Sequence, residues 1–173
     1  MKCLFIIDVQ NGFVSEKTEM ILPRMEQLIN AFDGGLIIAT QFVNVDNSGF
    51  TDIMHWKRLK TSPEIDLIPF VGEKATNVVR KTTYSACTEE VMTLLREHEV
   101  SQAYVVGIDT DCCVLTTAID LFEHNIRPVV LEHYCASNGG EKSHDAALMV
   151  LERTIGKPQI LRGPISVDGY DLE

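Results

Sequence analysis

No stretch of the 173 residues approaches the roughly 18 consecutive apolar residues that a membrane helix needs. The first apolar run, Cys3 to Ile7, is too short for a secretory leader and is stopped at once by Asp8. Positive charge is also scarce, with 15 Lys and Arg against 25 Asp and Glu and a net charge of −10. A duplex-binding face needs clustered cations to neutralise phosphates, so nucleic acid is not an expected partner. The five cysteines, Cys3, Cys87, Cys112, Cys113 and Cys135, form neither an even set nor paired metal-type spacings. That argues against a secreted disulfide framework and a zinc ribbon, and fits a reducing cytoplasm. Repeats and low-complexity segments are missing too.

What is present is an ordinary globular mixture, 45% hydrophobic and 23% charged, long enough for one domain spanning 1–173 with a core of its own. Six short apolar runs stand out: Cys3 to Ile7, Leu36 to Phe42, Asn77 to Arg80, Ala103 to Gly107, Pro128 to Leu131 and Gln159 to Leu161. They alternate with amphipathic stretches at Leu22 to Phe32, Thr88 to His98, Cys112 to His124 and Glu141 to Thr154. Strands alternating with helices predict an α/β class, a three-layer α/β/α Rossmann-like domain around a six-stranded, mostly parallel sheet. Val43 to Phe70 has weak periodicity and turn signals at Asn47-Ser48-Gly49 and Ser62-Pro63, which predict a long excursion with one short helix. The polar tail from Gly163 to Glu173 is expected to lie on the surface or reach a neighbouring subunit.

In open α/β sheets, ligands bind beyond the carboxyl ends of the strands. Asp8 ends the first predicted strand, Thr40 to Asn44 the second and Lys81 the third, while Gly107 to Cys113 leads from the fourth into a helix. An acid, a cation and a thiol thus converge on one rim. A cysteine in the first turn of a helix meets unpaired N–H groups and the positive end of the dipole, which favour thiolate. Each residue alone also has a plain structural explanation. Cys112 and Cys113 can be small buried hydrophobes, Asp8 can cap its turn, and Lys81 can snorkel to water.

Three segments carry a resemblance: Asp8-Val9-Gln10-Asn11-Gly12-Phe13, Lys81-Thr82-Thr83-Tyr84-Ser85-Ala86, and Gly107 through Ala118 with its Thr-Asp-x-Cys-Val-x-x-Thr-Ala pattern. With Cys135 to Gly140 and Ser143 to Leu148, they resemble the isochorismatase-like cysteine hydrolases, relatives of nicotinamidase and N-carbamoylsarcosine amidase, over nearly the whole chain. The resemblance implies a cytoplasmic homo-oligomer whose catalytic triad is Asp8, Lys81 and Cys113. It also implies an oxyanion hole from the backbone N–H groups of Asp109 and Cys113, beside a cis peptide between Ile108 and Asp109. The activity implied is hydrolysis of a small amide or N-carbamoyl C–N bond through a thioester. Cys112 falls at a variable position and is given no catalytic role.

Nicotinamidases of this kind bind a metal through an Asp-x-His pair and a later His. Here the corresponding stretch reads Thr40-Gln41-Phe42-Val43-Asn44, and His55 is the lone histidine of the excursion. No metal and no other cofactor are expected, and nicotinamide is disfavoured as substrate. Isochorismatases act on a vinyl ether and can dispense with the cysteine, so retention of Cys113 points to acyl chemistry. Phe13, Tyr84 and Trp56 are the candidate substrate-binding residues. Two positions depart from the commoner pattern: Cys87, where Phe is frequent, and Asp109, where a small residue is frequent and whose side chain is expected to point away from the site. A ligand-binding or interaction protein on the same scaffold, a nicotinamidase or isochorismatase activity, and a redox-active Cys112–Cys113 pair are the alternatives.

Overall fold

The computed structural model describes residues 1–33 and 35–165. Most of the tail, 166–173, therefore lies outside the described residues. Six strands, β1 (Cys3–Ile7), β2 (Leu36–Phe42), β3 (Asn77–Lys81), β4 (Gln102–Ile108), β5 (Arg127–Ala136) and β6 (Ile160–Leu161), form one open sheet in the order β3-β2-β1-β4-β5-β6. Every neighbouring pair runs parallel. This is the α/β architecture that alternating apolar and amphipathic segments predict. The order reverses at β1, so the switch point lies between the carboxyl ends of β1 and β4.

The period-two alternation of the strands feeds two separate cores. Cys3, Phe5 and Ile7 face one side with Ile38, Val105 and Val130, against α4 (Glu89–Glu97), α5 (Leu115–Glu123) and α6 (Glu141–Leu151). Leu4 and Ile6 face the other with Ala39, Val106 and Val129, against α1 (Leu22–Ala31) and α3 (Pro69–Lys74). Covered on both faces, β1 and β2 are buried at every residue, which explains their unbroken apolar runs.

Several boundaries differ from expectation for local reasons. Strand β5 runs on to Ala136 because an irregularity lets Gly107 pair with Cys135 after Val105 has paired with Val130. The predicted helix from Cys112 is preceded by a π turn over Thr110–Val114, and α5 proper begins at Leu115. The excursion holds α2 (Gly49–Asp52), capped by Ser48, and α3 begins at its end behind Pro69. Among the described residues no helix is long and apolar enough to cross a membrane.

Candidate active site

Asp8 is the residue at which β1 stops. Its φ of 52° turns the chain left-handed, a conformation Asp tolerates better than most, and its side chain is fully buried. Thr40 on β2 holds it from both ends, since its hydroxyl donates to Asp8 Oδ1 at 2.7 Å and accepts from the Asp8 N–H at 3.1 Å. Lys81, the last residue of β3, places Nζ 2.6 Å from Asp8 Oδ2, and neither side chain is exposed. The Lys81 ammonium also donates to the Thr83 and Tyr84 carbonyls at 2.8 and 3.0 Å and lies 5.3 Å from the Phe42 ring centroid. A buried pair is retained only with such secondary partners, because desolvation otherwise exceeds the Coulomb gain. The Lys81 ammonium is the charged partner of Oδ2.

The β4 end is built by Gly107 and a cis peptide between Ile108 and Asp109. Gly107 has φ +135°, and a Cβ there would meet the Ile7 carbonyl oxygen at 2.1 Å. That close approach seats the β4 turn against Asp8. The Cys112 and Val114 N–H groups both donate to the Asp109 carbonyl at 3.1 Å, which folds the turn around Cys113.

Cys113 is 5% exposed and faces Asp8. Burial raises its thiol pKa well above the ordinary value, and the Asp8 charge raises it further, with Lys81 opposing. Burial and the neighbouring Asp8 carboxylate thus favour the thiol, against the thiolate that a first-turn position favours, and Cys113 sits in the fourth position of the π turn. Cys112, more exposed, is pushed up to about 11, by burial and then by Asp111 and Asp109.

Above the thiol opens a cavity of about 390 Å³. Phe13, Phe42, Phe50, Trp56 and Tyr84 wall it. Trp56 stacks on Phe13 at 6.1 Å between centroids, and Tyr84 meets Phe50 edge-on at 4.9 Å. All three aromatic candidates, Phe13, Tyr84 and Trp56, thus share one chamber, and Phe42 and Phe50 complete it. The excursion is pinned over the sheet by amides whose spacing carries no periodic signal. Gln10 bonds the Phe42 backbone and the Ile65 carbonyl, Gln41 the Ile65 carbonyl, and Asn44 the Trp56 and Arg58 carbonyls. His55, by contrast, is exposed.

Asp109, whose side chain is expected to turn away, is among the residues that line the cavity. Asn138, at the far end of the β5 turn, is the reason. Its N–H and its Nδ2 donate to Asp109 Oδ1 at 2.7 and 2.9 Å. Burial lifts the Asp109 carboxyl, the Asn138 bonds pull it back, and Asp111 and Asp8 add to the rise.

A model of the isochorismatase domain matches residues 2–159. The chain belongs to the isochorismatase family. It is 31% identical over 157 residues to isochorismatase family protein 1B of Dictyostelium discoideum, covering 87% of this chain and 68% of that protein. It is 37% identical over 79 residues to an isochorismatase family protein of Bacillus subtilis, less than half of either chain. Among solved structures, N-carbamoylsarcosine amidase from Thermoplasma acidophilum superposes with a TM-score of 0.82 at 20% identity, covering 98% of each chain. A nicotinamidase/pyrazinamidase from Bacillus subtilis gives 0.81 at 24%, covering 93% of this chain and 99% of that one. These structures share the fold of this isochorismatase-family hydrolase.

A metal of the nicotinamidase type does not fit the residues present. Gln41 and Asn44 are neutral amides already donating to carbonyls, and no group of three or more His, Cys, Asp or Glu is arranged around a common point among the described residues.

Proposed function

We propose that this chain hydrolyses the C–N bond of a small amide or N-carbamoyl compound, with Cys113 as nucleophile, Asp8 as proton carrier and Lys81 as the fixed cation between them. The observation that carries the reading is the fully buried Asp8–Lys81 pair set against the Cys113 thiol on the floor of an aromatic cavity. Perturbed groups in a cleft point to function, and two buried charges at a strand switch point have no packing purpose.

Burial and Asp8 both favour the protonated thiol, so attack and proton transfer are assigned to one step. Cys113 Sγ bonds to the substrate carbonyl carbon as Asp8 takes the S–H proton. The carbonyl oxygen becomes an oxyanion, for which the N–H groups of Asp109 and Cys113 are the proposed donors. Loss of one such donor costs about 10²–10³ in turnover. Asp8 then returns its proton to the leaving nitrogen, the C–N bond breaks, and ammonia or an amine departs from the thioester. Water attacks the thioester carbonyl while Asp8 takes its proton. The C–S bond breaks, Sγ recovers that proton and the acid product is released. Lys81 is the counter-charge beside Asp8 in each half-reaction.

The test is ammonia release from a panel of small amides, ureas and N-carbamoyl compounds, for wild type and Cys113→Ala side by side, with and without a chelator. Turnover that falls by at least about 10⁴-fold in the variant and survives chelation is the expected result. Turnover that the variant retains would remove Cys113 as nucleophile.

A further inference from the structure

Asp109 is a carboxylate that the proposed reaction does not need and, as electrostatics goes, should avoid. It lies on the cavity wall one turn ahead of Cys113, where the tetrahedral intermediate would carry its own negative charge. Left uncompensated, a second anion there opposes the chemistry.

The side chain is nevertheless held in place with care. Asp109 Oδ1 takes both Asn138 donors, and Asn138 is itself fixed. Its Nδ2 also reaches the Phe13 carbonyl at 2.9 Å, its Oδ1 accepts from the Ser15 hydroxyl at 2.8 Å, and its carbonyl accepts from Lys17 at 3.2 Å. With Oδ1 engaged, Asp109 Oδ2 takes no hydrogen bond from the described residues.

The neighbouring cations are already committed. Lys81 is paired with Asp8, and the Arg58 guanidinium on the rim binds the Glu64 carboxylate at 3.0 Å and the Gly12 carbonyl at 3.1 Å. Asp111 beside the turn adds further negative charge, its Oδ1 bound by the Ser137 hydroxyl. Five aromatic residues, Phe13, Phe42, Phe50, Trp56 and Tyr84, share the wall with Asp109, and aromatic faces attract cations. The net charge of −10 draws cations toward the protein as a whole.

Resting on the proposed amide hydrolysis, we infer that the cavity is a cation site: the substrate carries an ammonium group close to its scissile carbonyl, bound between Asp109 Oδ2 and the aromatic wall. The ligand charge offsets the carboxylate that would otherwise repel the oxyanion. Asp109 is a specificity-determining residue and Asn138 its positioning residue. An amide bearing a carboxylate in the same place is rejected.

Two probes separate charge from shape. Betaine amide and 3,3-dimethylbutanamide differ only in a quaternary nitrogen replacing a quaternary carbon beside the same CH₂–CO–NH₂ group. Their kcat/KM values, or the concentrations at which they protect Cys113 from iodoacetamide, are compared in wild type and Asp109→Asn. The second probe is the ratio of modification rates at Cys113 by trimethylammonium and sulfonate methanethiosulfonates. It is read by peptide mass in a Cys112→Ser background, so that the neighbouring thiol does not contribute. A unit charge about 6 Å from a carboxylate at an effective dielectric of about 20 gains about a hundredfold. A preference for the cation of at least about tenfold is therefore expected in wild type, falling to about threefold or less in Asp109→Asn. Asn preserves the side-chain shape and an oxygen for the Asn138 donors, and a change in thiol reactivity common to both reagents cancels in the ratio. Equal handling of the two amides by wild type, or a preference that the variant keeps, overturns the proposal. Failure of the hydrolysis reading is seen separately, as turnover surviving Cys113→Ala, and leaves the methanethiosulfonate ratio interpretable.

Discussion

Replacing Lys81 by Met keeps the length of the side chain and removes its charge, leaving Asp8 as an uncompensated carboxylate with no exposed surface. The wild-type contact is 2.6 Å. Deleting one partner of such a pair costs about 3–5 kcal/mol, because the survivor keeps its desolvation penalty and loses its counter-charge. For a domain of this length that corresponds to a fall in Tm of about 6–20 °C. Asp8→Asn in the same chain removes the orphaned charge and should recover at least half of the lost stability. Urea unfolding of wild type, both single variants and the double variant closes the cycle. A Lys81→Met loss below about 1 kcal/mol, or a double variant as weak as the sum of the singles, would refute the reasoning.

Cys135 is a buried thiol whose pKa burial pushes up to about 12 from an ordinary 9.0. The folded state keeps this proton where the unfolded chain has lost it. The associated stability is therefore complete below about pH 9 and is lost as the pH rises toward 12, by about 1.4 kcal/mol at pH 10. Cys135→Ala should accordingly be less destabilised relative to wild type at pH 10 than at pH 7.5 by about that amount in urea titrations, and an identical gap at both pH values would contradict it. Gly107→Ala places a Cβ 2.1 Å from the Ile7 carbonyl oxygen at a φ of +135°. Backbone cannot yield there as a flexible side chain could, so a loss of at least about 3 kcal/mol or failure to fold is expected; a variant as stable as wild type would mean that β1 and β4 do not meet as closely as described.

The sheet was legible because its strands are buried on both faces and therefore apolar at successive positions, a signal that survives without knowledge of the partners. Cys3–Ile7 and Leu36–Phe42 read identically in sequence and structure for that reason. Strand β5 was under-read because Glu132 and His133 interrupt its apolar run where the pairing with β4 shifts register, and a register shift leaves no periodic trace. The meeting of Asp8, Lys81 and Cys113 was likewise readable, since each ends or follows a strand and strand ends in a parallel sheet share one rim. What depended on the third dimension was hidden. Phe50 joins the cavity wall because Gln10, Gln41 and Asn44 fold the excursion over the sheet through side-chain to backbone bonds, which no spacing rule announces. The orientation of Asp109 is the sharpest case. Nothing in its sequence neighbourhood fixes the side chain, and its partner is Asn138, 29 residues away across the β4–β5 pairing. The misread residue is also the one carrying the unmatched charge. A carboxylate on a residue lining the cavity calls for a compensating positive group, and no cation among the described residues hydrogen-bonds Oδ2. The same interaction that defeated the sequence reading therefore points to the charge of the ligand.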